Sequence, residues 1–332
     1  MKMQVPRGGR PWGAAEADAN SLDYQTIPRV GIISNFRSHR NSKKPRKPLD
    51  VSDAVVIRRV PETREALANT MLQFAREGVE LIVVDGGDGT VREVMSAAHR
   101  VYRGRPPRLA ILRSGKTNAL ALDLGIPKGW TLEDAVASHL ANRIVERSPV
   151  HVHWTHADHP DRLGFIFGFG AYSRATLLAQ KVHRQGWFNG FAVLMTLIWA
   201  VLQTFMGGRH GPWTRGDTIR ISRDRVDISR EKIYLVLGST LHNMPLGLKP
   251  FGSPREGLKF LAIKAPPRNI LRLLLQILRG TTSPRQEGDD HIRQDVDRVF
   301  LSIRKSFVLD GERFPGGNLA VSRGTPVEFV VP

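Results

Sequence analysis

The chain has 332 residues, no cysteine, and a formal net charge of +18 from 49 basic against 31 acidic residues. A hydrophobic fraction of 41% excludes wholesale disorder, and the lack of cysteine excludes disulfides, thiolate metal sites and cysteine nucleophiles. The positive charge predicts an anionic partner: nucleic acid, an acidic membrane surface or a polyphosphate substrate.

The first part of the chain changes from an aperiodic tail to alternating strands and helices. Residues 1–27 are rich in Gly, Pro, Ala and Asp, and we predict a disordered tail there. Hydrophobic patterns then predict strands and helices in turn: a strand at 30–34, a helix at 61–76, a strand at 79–84, a helix from Val91 and a strand at 109–112. Such alternation indicates a parallel α/β sheet with its ligand site beyond the carboxyl ends of the strands.

After about residue 145 the pattern changes to short strands, several of them alternating, bounded by turn residues. The predicted strands are 150–154, 163–169, 218–222, 225–229, 232–237 and 296–303. Two helical stretches, at about 172–206 and 268–279, interrupt them. This pattern favours an antiparallel sandwich with inserted helices.

A glycine-rich loop, Asp85-Gly86-Gly87-Asp88-Gly89-Thr90, stands where a predicted strand leads into a helix. Its glycines let backbone amides approach a phosphate closely, and the helix N-terminus favours the same anion. A carboxylate in such a loop would repel phosphate unless a divalent cation lay between them, so Asp88 predicts Mg²⁺. The alternative is a tight turn in which Asp88 caps the helix.

A second loop, Ser114-Gly115-Lys116-Thr117-Asn118, also follows a predicted strand. It is not a P-loop, because Ala110 occupies a position where that motif requires glycine. We predict a second phosphate contact, with Lys116 as its cation. The basic loop from Asn35 to Pro48 supplies a further candidate cation, Arg37.

These motifs resemble those of the diacylglycerol kinase catalytic family of lipid kinases, which includes sphingosine and ceramide kinases. Residues 86–94 are similar to its nucleotide loop and following helix, Asn35-Phe36-Arg37-Ser38 resembles its Asn-Pro-x-Ser loop, and residues 112–121 resemble its Leu-Pro-x-Gly-Thr-x-Asn-Asp-x-Ala motif. Leu309-Asp310-Gly311-Glu312 resembles its Asp-Gly-Glu motif. Departures at Phe36, Arg113, Lys116 and Ala119 indicate a divergent branch.

The resemblance implies a fold of two domains with catalysis in the cleft between them. A doubly wound α/β domain that binds ATP would occupy residues 28–145, and an antiparallel β-sandwich domain that binds lipid would occupy 146–332. The implied catalytic residues are Asp88, Asp310 and Glu312. Family precedent leaves either aspartate as the base, and Asp310-Gly311 taken alone also suits a hairpin turn.

The resemblance and the loops together predict one set of residues around the nucleotide. Asp88 is the predicted Mg²⁺ ligand. The residues expected to contact ATP or its metal are Asn35, Arg37, Ser38, Gly86, Gly87, Asp88, Gly89, Thr90, Glu93, Ser114, Gly115, Lys116, Thr117 and Asn118.

Two apolar stretches bear on the membrane. Residues 187–206 contain no charge and could span a bilayer by length, but strands of one domain lie on both sides. A buried core helix, or a helix that lines a lipid pocket or enters the membrane interface, explains the stretch better. Residues 268–279 favour a packed core helix, with membrane docking as the alternative.

The leading hypothesis is an ATP- and Mg²⁺-dependent lipid kinase of the diacylglycerol or ceramide kinase type. It would phosphorylate a hydroxyl of diacylglycerol, ceramide or a sphingoid base at an anionic membrane, as a cytoplasmic, peripherally associated protein; a homodimer is left open. The alternatives are an NAD-kinase-like enzyme, a regulator with weakened catalysis and a basic nucleic-acid-binding protein. Nucleic acid is not expected, because residues 36–48 hold a single aromatic, Phe36.

Overall fold

The computed structural model describes residues 27–34, 54–103, 105–115, 117–176, 216–223, 226–267, 286–288 and 291–332. Residues 1–26 of the predicted tail, the basic loop from Asn35 to Pro48 and both apolar stretches lie outside this part of the chain. The predicted helix from residue 172 is described only as far as Thr176, and residues 171–176 are helical. No helix within the described ranges has the length and apolar content to cross a membrane.

The first sheet combines five parallel strands with one antiparallel edge strand among the described residues. In spatial order the strands are β2 (Val55–Arg59), β1 (Arg29–Ser34), β3 (Leu81–Gly86), β4 (Arg108–Arg113), β18 (Val327–Val330) and β5 (Ile144–Arg147). The strands β1, β3 and β4 confirm the prediction of a parallel α/β sheet. Their almost continuous apolar runs are typical of strands that are covered on both faces.

Four helices accompany this sheet: α1 (Arg64–Arg76), α2 (Asp88–Val101), α3 (Ala119–Asp123) and α4 (Leu132–Leu140). The Thr63 side chain accepts a hydrogen bond from the backbone amide of Ala66 and so caps the start of α1. The apolar positions that predicted α2 are buried in the same hydrophobic core as β1, β3 and β4.

The second sheet is antiparallel throughout its described pairings and has twelve strands. In chain order they are β6 (Val150–Trp154), β7 (Arg162–Gly164), β8 (Ile166–Gly170), β9 (Asp217–Arg223), β10 (Val226–Ser239), β11 (Leu258–Lys264), β12 (Gln286–Gly288), β13 (His291–Val296), β14 (Arg298–Ile303), β15 (Phe307–Leu309), β16 (Glu312–Phe314) and β17 (Gly317–Arg323). The antiparallel second sheet is thus as predicted. Two predicted strands, 225–229 and 232–237, are a single long strand, β10, with a register shift inside it.

The last strand returns the chain to the first sheet. β18 lies within residues 146–332, yet it pairs with β4 and β5 and buries Phe329 completely. The Phe329 ring meets the ring of Phe165, which lies between β7 and β8, edge to face at 6.3 Å. Helix α2 also contacts the second sheet, since the Leu163 amide donates to Ser96 Oγ at 3.0 Å. The two sheets are therefore joined at Ser96 of α2 and at Phe329 of β18.

We expect Phe329→Ala to lower the free energy of unfolding by about 3–5 kcal/mol, because it leaves a cavity in the core of the first sheet. The neighbouring Glu328→Ala is the matched control. It removes an exposed ion pair with Arg108 and should cost less than about 1 kcal/mol. Urea unfolding of both variants measures the difference. Equal losses would contradict a structural role for the last strand in this core.

Candidate functional site

Polar side chains gather where β1, β3 and β4 end. Asp85 is the centre of this group: it accepts hydrogen bonds from Ser114 Oγ at 2.5 Å and Ser34 Oγ at 3.4 Å, and Arg58 lies 3.5 Å from its carboxylate. Because parallel strands end at one edge of a sheet, a single buried carboxylate can join residues far apart in sequence. Asp85 thereby connects the ends of β1 and β3 with Ser114, at the edge of the sheet from which both loops extend.

The first loop has the strand–turn–helix geometry predicted for it. β3 ends at Gly86, Gly87 is the extended N-cap, and α2 begins at Asp88. The turn is tight, because a Cβ added at Gly86 would lie 2.5 Å from the Thr90 side chain. Gly89 and Thr90 lie in the first turn of α2, so this loop presents a helix N-terminus at the carboxyl edge of the sheet.

The second loop packs directly on the first. A Cβ added at Gly115 would lie 2.4 Å from the Cα atom of Gly87, so the two backbones touch. Asn118 has a positive φ of 50° and bonds both backbone groups of Gly115, at 3.1 and 2.8 Å. The Leu120 amide at the start of α3 donates to Asp88 Oδ1 at 3.4 Å. The Ser114 amide also donates to the Gly86 carbonyl at 3.2 Å. Ser114, Gly115 and the start of α3 thus adjoin the first loop, and Thr117 lies between them in sequence.

Asp88 lies at the junction of these loops and is only partly exposed. Burial raises the pKa of its carboxyl group, while hydrogen bonds from the backbone of Ala119, Leu120 and Asn118 oppose that rise. The charge of Arg92 acts in the same direction as these bonds. Asp88 is therefore a carboxylate whose ionised form a further cation would stabilise.

Asp310 lies in the turn between β15 and β16, with a φ of 45°. The hairpin turn between β15 and β16 directs the Asp310 carboxylate at β8. The interpretation of Asp310-Gly311 as a turn and its interpretation as a functional motif are therefore compatible. It accepts hydrogen bonds from the amides of Phe165 at 3.0 Å and Ile166 at 2.8 Å. Burial raises its pKa to about 6, the Arg92 charge and the amide bonds lower it, and the Asp88 charge raises it. The pKa of Asp310 thus lies above its usual range, and the Asp88 charge contributes to that rise.

Arg92 connects the first loop to the Asp310 turn. Its side chain, 1% exposed, donates from Nη1 to the Leu309 carbonyl at 3.0 Å and bonds Glu93 at 3.2 Å. Its Nη2 also bonds Glu312 Oε2. A buried guanidinium is stable only when its donors are paired, and here those pairs fix α2 against the residue before Asp310.

Two more arginines complete this group. Arg64 of α1 bonds Glu93 and Glu312, each at 2.8 Å, and Arg162 lies 3.5 Å from Glu93. Burial alone would raise the pKa of Glu93, but the hydrogen bond from Arg64 and the charges of Arg92, Arg64 and Arg162 lower it. Both glutamates are therefore held by guanidinium groups.

The structure brings most of the predicted site residues together. The two loops lie in contact, and Asp310 and Glu312 reach α2 through Arg92. Asn35, Arg37, Ser38 and Lys116 lie outside the described residues. Sequence reasoning missed Asp85 as an organising group and missed Arg58, Arg64, Arg92 and Arg162. The sequence did contain a signal for Arg92. This charged residue follows Val91 directly and lies on the buried side of α2, where most other residues are apolar.

Comparison with known proteins agrees with the motifs. Residues 38–152 match the model of the diacylglycerol kinase catalytic domain. Two curated proteins, each named "Probable lipid kinase YegS", from Salmonella heidelberg (strain SL476) and Salmonella agona (strain SL483), are 37% identical to the chain over 71 residues. That match spans 21% of this chain and 23% of the length of each relative.

Solved structures share the fold over most of the chain. A diacylglycerol kinase from Bacillus anthracis str. Sterne superposes with a TM-score of 0.55 at 11% identity, over 92% of this chain and 97% of that one. A second structure from the same organism gives a TM-score of 0.60 at 12% identity over the same shares. These likenesses show that the chain shares its fold with these structures over 92% of its length.

The contact between the two loops predicts that Gly115→Ala destabilises the protein. Its methyl group would force the Gly87 backbone away, so we expect the free energy of unfolding to fall by about 1–3 kcal/mol. Gly129→Ala is the control, because no atom lies within 4 Å of a Cβ there, and it should change stability by less than about 0.5 kcal/mol. Thermal and denaturant unfolding of both variants would decide; an unaffected Gly115→Ala protein would disprove the contact.

Proposed function

Because residues 38–152 match the model of the diacylglycerol kinase catalytic domain, we propose that the chain is a lipid kinase that transfers the γ-phosphate of ATP to a lipid hydroxyl. The proposed acceptor is diacylglycerol, ceramide or a sphingoid base. The names of the similar proteins support a lipid kinase, and the chemistry of the site supports phosphoryl transfer.

One observation carries this proposal: Arg92 joins the start of α2 to the turn that bears Asp310. A phosphate bound at the helix N-terminus would lie near Gly87 and Gly89. The pKa of Asp310, raised to about 6 mainly by burial, suits a group that must accept a proton near neutral pH. Phosphate-binding and proton-accepting groups thus occur in one rigid unit.

In the proposed reaction the lipid hydroxyl oxygen attacks the γ-phosphorus. The new P–O bond forms as the bond to the β-phosphate oxygen breaks, and ADP leaves. The hydroxyl proton passes to the Asp310 carboxylate, which the amides of Phe165 and Ile166 hold in position. We assign Asp310 as the base rather than Asp88, because Asp88 lies within the phosphate loop itself.

The donor set near the loop fits Mg²⁺. Among the described residues no three acidic or histidine side chains converge on one point, but Mg²⁺ in kinases needs only one or two carboxylates besides the substrate phosphates. Asp88 would hold the ion, since burial raises its pKa and a cation would offset that cost. When bound, Mg²⁺ neutralises charge on the phosphates.

Glu93 and Glu312 take a supporting part in this proposal. Their carboxylates are occupied by Arg64 and Arg92, so we assign them the positioning of the Asp310 turn rather than contact with the nucleotide. We further propose action at an anionic membrane face from the cytoplasm, since the net charge of +18 favours such a surface.

The proposal is tested by phosphoryl transfer from γ-labelled ATP. The purified full chain receives Mg²⁺ and, in parallel, diacylglycerol, ceramide or sphingosine in mixed micelles, or NAD in solution. We expect label in at least one lipid. Label in NAD alone, or in no acceptor while circular dichroism shows a folded protein, would refute the lipid-kinase assignment.

With an active acceptor, we expect kcat/KM to rise with pH up to about 6 and then level off. The raised pKa means that Asp310 is protonated, and unable to accept a proton, below that value. Asp310→Asn should lower kcat about 10²–10⁴-fold. Asp297→Asn, in an exposed turn, is the matched control and should keep both the rate and the pH profile. Wild-type activity in Asp310→Asn would show that another group accepts the proton.

A further inference from the structure

A basic cavity of about 570 Å³ lies where the start of β9, the end of β14 and the start of β17 meet Arg230 of β10. Its lining includes no residue of the two loops described above. Four cationic side chains line it against one carboxylate, Asp217: Arg220, Arg230, Arg304 and Lys305. Lys305 bonds Asp217 directly. Among the described lining residues, no carboxylate compensates the charge of the other three cations.

The strand register places like charges next to each other in this cavity. Arg220 of β9 is directly opposite Arg230 of β10, and its other neighbour is Ser302 of β14. Like charges at directly opposite positions destabilise a sheet. Within the described part of the chain, neither arginine forms an ion pair or a hydrogen bond through its side chain. A bound anion would remove this repulsion.

The cavity also has apolar walls. Phe169 and Ile219, both almost fully buried, line it beside the arginines. Phe169 belongs to β8, the strand that begins at Ile166, whose amide holds Asp310. A ligand with both phosphate and hydrocarbon fits these surroundings better than a fully polar one.

We propose that this cavity binds the phosphate-bearing headgroup of an anionic membrane phospholipid, distinct from the acceptor that is phosphorylated. Arg220 and Arg230 would contact the phosphate oxygens, as paired guanidinium groups do in phosphate sites. The site would hold the protein on an acidic bilayer. The choice of a lipid over a soluble phosphate as the ligand rests on the proposed function. Binding of the headgroup in the cavity does not require the kinase reaction.

Binding to vesicles without ATP or acceptor tests the site separately from the kinase reaction. Vesicles of phosphatidylcholine, with or without about 30 mol% phosphatidylglycerol, are mixed with the full chain and separated by flotation. We expect binding to the anionic vesicles only. Arg220→Gln/Arg230→Gln should weaken it about tenfold or more, since each cation at an acidic surface contributes about fivefold.

The control variant is Arg76→Gln/Arg143→Gln, which removes the same charge from exposed positions by the first sheet. It should weaken binding by less than about threefold. Equal losses in the two variants would overturn the site in favour of general attraction. Failure of the wild type to prefer anionic vesicles would also overturn it.

Glycerol 3-phosphate added in solution separates the two sources of phosphate. We expect it to leave vesicle binding unchanged at phosphate concentrations equal to that of the lipid. Full displacement at that concentration would overturn the lipid assignment and identify a soluble ligand.

Circular dichroism melting of both variants establishes that they fold. Transfer activity on micellar acceptor should be unchanged in Arg220→Gln/Arg230→Gln, because neither arginine belongs to the catalytic group.

Discussion

The buried guanidinium of Arg92 is the interaction on which the site depends. It comes from α2, four residues after the start of that helix at Asp88, and it ends on the Leu309 carbonyl and the Glu312 carboxylate of the other sheet. Moving the two elements apart would leave a charge in the interior without partners, which costs several kcal/mol. The relative position of the glycine-rich loop and the Asp310 turn is therefore set by a contact that admits little movement.

The same side chain also influences the pKa of both aspartates. Burial raises the pKa of Asp88 and of Asp310, and the Arg92 charge lowers both. The two carboxylates also repel each other, since the Asp88 charge raises the pKa of Asp310. A cation bound at Asp88 would weaken that repulsion and favour the ionised form of Asp310. In the proposed reaction, a metal ion at Asp88 would therefore lower the pKa of Asp310, the proposed base.

Local features of this site could be predicted from the sequence, and long-range ones could not. The geometry of residues 85–90 depends on a hydrophobic strand, three glycines and an amphipathic helix, all within a short stretch. The role of Asp85 depends on the order of β1, β3 and β4, which no local pattern contains. β18 is short and follows a run of antiparallel strands, so its place in the first sheet required tertiary contacts. The ion pairs of Glu312 join residues more than 200 positions apart.

In the proposed mechanism, the contact between Arg92 and Glu312 positions Asp310 for catalysis. A double-mutant cycle on kcat, with Arg92→Met, Glu312→Gln and the double variant, tests it most directly. Both glutamates keep Arg64 as a partner in Arg92→Met, so the variant should fold. We predict that Arg92→Met lowers kcat about a hundredfold and that the double variant is no slower than Arg92→Met alone. Losses that multiply, as for independent residues, would contradict the account.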